Sequence, residues 1–347
     1  MSWKEYQLDS KTIADWLPWC ALTHESVLRN KDDSVLGVIR YRPFAQRQGN
    51  RHPMPLPSFR RGWSIWIEEQ YETERAVQEA ACFFALCWNP FIRTGVAVNG
   101  LDDTQHALDD MEKELARVLH HIASTFPAEA QACVLSYQEV IDYLTFSLTL
   151  GRKKITMPEV PVDLDIFLTT EIDLDFTSNH VRLNEDVFLV LTLPSAFGTQ
   201  EEVLHQMTAQ LHAAGIPCRH VQRLLLFGKA EAEKELHRYT EKWCPSRKYI
   251  KELLTGDTLQ ALSGYYNNQL IVLTPKDGCI RVQTYLEKLL CQRGLPYIIE
   301  DYNAKDLWWG SLPGLFRAAV VPPICGFQTL EDLLAVKKEE GQVHVPT

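Results

Sequence analysis

Apolar residues return every three to four positions over 102–125, at Ala107, Met111, Leu115, Val118, Leu119 and Ile122, and predict an amphipathic helix. Asp102 or Asp103 can cap its start. A second helix is predicted over 136–149, opened by Ser136 and Glu139 at capping-box spacing and closed by Gly151. The period changes elsewhere. Two strand-like runs, 24–30 and 34–41, flank Lys31-Asp32-Asp33 and predict a hairpin. GWSIWIEEQ (62–70) alternates as a strand does, and 72–88 reads as a helix with Cys82, Phe83, Leu86 and Cys87 on one face. Beyond a proline-stiffened linker near 156–163 a rhythm sets in: strand 187–193, helix 199–213, Gly215, strand 217–227 and charged helix 229–254. It repeats as strand 268–274, helix 279–292, Gly294, strand 296–300 and a short helix at 303–309. The fold class expected is α/β (α+β), with mixed sheets, layered helices and ferredoxin-like split βαβ repeats in the carboxy-terminal half. The linker divides the chain into an amino-terminal module, 1–155, and a second α/β module, 156–347.

Composition narrows the function. The chain has 347 residues, 46% hydrophobic and 23% charged, as in soluble globular proteins. A net charge of −10 argues against general affinity for nucleic acid. The longest apolar run, AACFFALCW (80–88), falls short of the ~20 residues that span a bilayer. The opening MSWKEYQLDS has no signal-peptide core. Nine cysteines occur without any CxxC, which fits buried free thiols in a reducing compartment and disfavours structural zinc.

A phosphate-gripping loop needs glycines, a lysine and a Ser or Thr at fixed spacing. The single Gly228-Lys229 pair is followed by Ala230, and Arg223 stands where the first glycine belongs. No nucleotide-binding loop and no catalytic residue is assigned, and no cofactor or metal. The rival reading is a stand-alone α/β nucleotide- or metal-dependent enzyme, with Asp163, Asp165, Glu171, Asp173 and Asp175 as magnesium ligands along a strand. A solvated acidic face is the weightier reading of that run. Cys218 and His220 lack an orienting third group nearby in sequence and read as packing residues. The Pro- and Arg-rich stretch 42–61, with Arg42, Arg47 and Arg51, suits an acidic partner or anionic headgroups. Trp308 and Trp309 precede Gly-Ser-Leu-Pro-Gly; as neighbours they point apart, so only one is expected to fill the core, with the other at a contact surface.

Four stretches, taken in order, resemble the TrbE/CagE/VirB family of type IV secretion and conjugal transfer ATPases. They are ADWLPWCALTHESVLRNKDDSVLGVIRYR (14–42), GWSIWIEEQ (62–70), YLTFSLTLGRKKITMPEVPVDLDIFL (143–168) and YNAKDLWWGSLPGLFRAAVVPPICGFQTLEDLLAV (302–336). EKWCPSRKYIKELL (241–254) adds a weaker match. Asp33 departs from the family's usual glycine, and the 42–61 stretch from its usual helical loop. The resemblance is to the region preceding the motor domain, so ATP, magnesium and hydrolysis belong to a portion of the family's architecture that no residue here matches. It implies a non-catalytic docking and assembly domain on the cytoplasmic face of the bacterial inner membrane. The implied partners are inner-membrane channel subunits, the motor domain and further copies in a homo-oligomer, with peripheral membrane association and no direct nucleic-acid contact. On this reading Trp16, Leu17, Trp19, Arg42, Arg47 and Arg51 face the membrane platform, and Trp308, Trp309, Leu312 and Pro313 meet the motor domain or a neighbouring subunit.

Overall fold

Strands β2 (Val27–Asn30) and β3 (Val35–Tyr41) pair antiparallel on either side of the predicted polar turn, with Val27 opposite Gly37. The computed structural model describes residues 17–23, 27–31, 34–42, 63–71, 80–88, 101–125, 131–156, 163–176, 180–193, 201–228, 262–314 and 324–327. Strand β1 (Trp19–Thr23) adds to β2 on its outer side. Strand β4 (Trp63–Tyr71) lies where the alternation of GWSIWIEEQ puts it.

The stretch read as a helix over 72–88 is instead strand β5 (Ala80–Trp88), paired with β3 on one side and β4 on the other. Residues 82–88 are buried throughout, so the run carries no alternation; a central strand covered on both faces reads like a buried helix. Fully burying a side chain such as Phe84 or Leu86 contributes about 1.5–3 kcal/mol, and pairing on both edges satisfies the backbone.

Helix α1 (Leu101–Thr125) lies over these strands with Ala107, Met111, Leu115, Val118 and Ile122 inward. Gly37 permits the approach: a Cβ there would stand 2.5 Å from Leu115 Cδ1. Strand β6 (Cys133–Val134) pairs with β3 and leads to helix α2 (Tyr137–Thr149). The Glu139 carboxylate accepts the Ser136 N–H at 2.9 Å and its hydroxyl at 2.7 Å. The left-handed cap falls on Leu150 (φ 47°), one residue before Gly151. Leu150 is buried, and that burial offsets the backbone cost of a side chain in this region.

Helix α3 (Leu164–Glu171) occupies the acidic run, so its carboxylates do not alternate along a strand. Asp165 is buried and meets Lys31 at 2.5 Å. Strands β7 (Leu174–Asp175), β8 (Arg182–Leu183) and β9 (Asp186–Thr192) follow, then helix α4 (Glu201–Ala213) and strand β10 (Cys218–Gly228). Strand β11 (Leu262–Pro275), helix α5 (Cys279–Gln292), strand β12 (Ile298–Ile299), helix α6 (Ala304–Ser311) and strand β13 (Ile324–Phe327) complete the described chain. The charged segment 229–254 lies outside the described residues.

All these strands form one sheet, ordered β1-β2-β3-β5-β4-β10-β11-β9-β8-β7, with β6 on β3, β12 on β9 and β13 on β11. A mixed sheet was expected; every pairing among the described residues is antiparallel. The reason is that strands joined through a helix are not neighbours. β11 lies between β9 and β10, and β9 lies between β11 and β12. Helices cover both faces. α2, α3 and α6 share a core with Trp66, Phe83, Phe188 and Ile271. On the opposite face α1 covers β3 and β5, while α4 and α5 cover β9 and β11. The fold is thus a mixed α/β structure built on an antiparallel sheet.

Candidate functional site: a buried charge network between β4 and β10

β4 and β10 join the amino-terminal strands to the later ones, with Gln70 opposite Arg219, Glu69 opposite His220 and Trp66 opposite Arg223. The two-residue period of a strand sorts their side chains. Trp66, Glu68, Gln70, Arg219 and Arg223 face α2 and α6, whereas Glu69, Cys218 and His220 face α4.

On the first face Glu68 and Arg219 form an ion pair at 3.2 Å, both side chains 0% exposed. Glu68 also accepts Gln70 Nε2 at 2.8 Å and the Tyr143 hydroxyl at 3.1 Å. Arg219 donates to the Ser311 hydroxyl, which itself donates to the Trp308 carbonyl at 2.5 Å. Arg223 donates to the Gly310 carbonyl at 3.1 Å, and its guanidinium carbon stands 5.2 Å from the Trp66 ring centroid. Burial pushes Arg223 down to about 10, so it stays charged at neutral pH. Burial, and then the Glu68 charge, hold the Tyr143 phenol well above its ordinary range. Carbonyls at the carboxy-terminal end of a helix carry partial negative charge, so α6 offers both guanidiniums a suitable terminus. Charges taken out of water stabilise a fold only when every partner is supplied, so this network is sensitive to loss of any member.

On the opposite face the Glu69 carboxylate meets His205 Nδ1 at 2.6 Å and accepts the Thr208 hydroxyl at 3.1 Å, tying α4 to β4. His220 Nε2 meets Asn268 Oδ1 at 2.6 Å. Burial pushes the His220 imidazole down and, together with Glu69, the Cys218 thiol far up. A neutral buried thiol is a poor nucleophile, in keeping with packing roles for both residues. Among the described residues no cluster of three or more His, Cys, Asp or Glu is arranged to hold a metal ion. Gly228 sits in extended strand opposite Leu262, not in a loop that would cradle phosphate.

The residues expected at partner surfaces are placed differently. Trp308 is 0% and Trp309 9% exposed, so both tryptophans fill the core, in contrast to the expectation of one. Being helical, they diverge within one apolar layer: Trp308 lies 5.4 Å from Phe188, and Trp309 stacks on Phe176 at 4.8 Å. Leu17, Trp19, Leu312 and Pro313 are buried as well. The Trp19 indole N–H donates to the Pro313 carbonyl at 2.8 Å, and Asn30 donates to the Gly314 carbonyl at 3.5 Å. The two predicted docking segments therefore dock on each other. Their side chains are spent on the chain's own core, which corrects their assignment to partners. Arg42 is exposed just beyond β3; Trp16, Arg47 and Arg51 lie outside the described residues.

Glu68, Arg219, Arg223, Tyr143 and Ser311 were not singled out from the sequence. Charged residues at every second position of a strand look like a solvent face. The only hint was their setting in a protein with helices enough to cover both sides of a sheet.

No protein-family profile matches the chain. Similarity to curated proteins does exist. The chain is 23% identical over 420 aligned positions to the conjugal transfer protein TrbE of Rhizobium radiobacter, covering 95% of this chain and 50% of that protein. It is 22% identical over 226 positions to a probable conjugal transfer protein TrbE of Sinorhizobium fredii (strain NBRC 101917 / NGR234), covering 58% of this chain and 33% of that protein. The chain spans half the length of the first relative and a third of the second. The fold defines a mixed α/β scaffold whose polar core is committed to internal contacts. The two relatives support a TrbE-family region that covers a portion of the full-length protein. No helix among the described residues is long and apolar enough to cross a membrane.

Proposed function

We propose that this chain serves conjugal transfer as a docking and assembly region of a TrbE-type protein, and that it has no catalytic role in that process. One observation carries the reading: the similarity to TrbE runs along 95% of the chain. The site chemistry agrees with it. The buried charges hold β4, β10, α2 and α6 together, and the one cysteine–histidine pair on β10 is packed and neutral. In this reading the chain acts at the cytoplasmic face of the inner membrane. It engages membrane subunits of the transfer channel, an ATPase motor domain that binds ATP and magnesium, and further copies of itself. The basic segment is the proposed membrane-side contact, through exposed Arg42 with Arg47 and Arg51. Leu17, Trp19, Trp308, Trp309, Leu312 and Pro313 have no place in it, because the core holds them.

A mating assay tests this. A donor lacking the gene should lose plasmid transfer, the wild-type gene should restore it, and an Arg42→Glu, Arg47→Glu, Arg51→Glu variant of normal melting behaviour should fall at least about tenfold short, as expected when roughly 1 kcal/mol per basic residue is lost. Undiminished transfer by the deletion strain, or ATP turnover that co-purifies with the isolated chain, would overturn the proposal.

A further inference from the structure

The segment that ends α6 is held from two sides. Arg219 of β10 reaches Ser311, and Arg223 reaches the Gly310 carbonyl. Two residues later Trp19 of β1 reaches the Pro313 carbonyl, and Asn30 of β2 reaches the Gly314 carbonyl. In sequence these partners lie 294 and 284 residues from the carbonyls they hold. Two residues span at most about 7 Å, so neither attachment can shift far without the other. Gly314 has φ +94°, and a Cβ there would stand 2.8 Å from Asn30 Nδ2, so the turn fits against β2 without slack. In the sheet itself β1 and β2 are separated from β10 by β3, β5 and β4.

We propose that residues 310–314 form a coupling strap that ties the β1–β2 edge of the sheet to β10, so that loosening either attachment loosens the other. The strap is two-state. Arg219 is fully buried, and its Nε has no hydrogen-bond partner among the described residues. Withdrawing Ser311 strips that guanidinium of a further acceptor in a place water does not reach. Partial detachment is therefore disfavoured, and the segment is either seated on both sides or on neither. A displacement of the chain beyond Gly314 would in this way reach β1, β2 and β10 together.

Hydrogen exchange on the full chain, read by mass spectrometry, tests the strap. Ser311→Ala removes a hydroxyl that touches β10 and α6 only. It should speed exchange about tenfold in β10 and also in residues 19–30, while β5 stays at the wild-type rate. Gly314→Ala perturbs the other side and should speed exchange in β10. Tyr143→Phe weakens the same Glu68 network without touching the strap, and should leave residues 19–30 unchanged. The proposal is overturned if Ser311→Ala acts on β10 and α6 alone. It is equally overturned if β5 accelerates as much as β1 and β2, because that would be general destabilisation.

Discussion

Replacing Arg219 by methionine tests the physical account of the β4–β10 junction most directly. Methionine keeps much of the length and apolar volume of the arginine stem but removes its charge. Glu68 would remain fully buried, with Gln70 and Tyr143 still donating to it and no counter-charge. Removing one partner of a buried ion pair costs about 3–5 kcal/mol, because the survivor is left desolvated. Two remaining donors moderate the loss, so we expect about 3 kcal/mol. Urea unfolding followed by tryptophan fluorescence at pH 7 measures it. At a slope of about 3 kcal/mol per molar, the midpoint should fall by about 1 M. Adding Glu68→Gln should recover some of this loss, because a neutral amide pays a smaller penalty in the same place. The reasoning fails if Arg219→Met unfolds within about 0.5 kcal/mol of wild type, or if the double variant costs the full sum of the two single changes.

Two further outcomes are expected. Gly37→Ala drives a Cβ to 2.5 Å from buried Leu115, so it should destabilise by about 1–3 kcal/mol and lower the protection of α1 against hydrogen exchange. His220, pushed down by burial, takes up its proton more readily in the unfolded chain. Its contribution is complete above the unfolded value of about 6.5 and declines at up to about 1.4 kcal/mol per pH unit as pH falls toward its folded value. Unfolding free energies measured from pH 8 to pH 5 should show that slope in the wild type, and His220→Gln should flatten it.

The sequence was most legible where one face of an element meets water. Helix α1 shows its buried stripe because the residues between Met111, Leu115 and Val118 are polar, and α2 announces its start through Ser136 and Glu139. The period fails where both faces are covered. β5 is apolar throughout because helices lie on each side of it, and nothing local distinguishes that run from a buried helix. For Trp308 and Trp309, neighbours on a helix were expected to need two separate destinations. The apolar layer over β9 proved broad enough to take both, which depends on how far Phe176 and Phe188 lie from the helix axis.

By itself the sequence determined which segments can be helices, where several must end, and that the chain is a mixed α/β protein. Those properties arise within a few residues, from periodicity, caps and turn-forming side chains. Only the tertiary structure decided that β4 pairs with β10, that Glu68 and Arg219 are buried partners 151 residues apart, and that Trp19 meets Pro313. A charge in a strand has the same local pattern whether it faces water or an opposite charge. The difference lies in which distant helix covers it, and that is a property of the assembled fold.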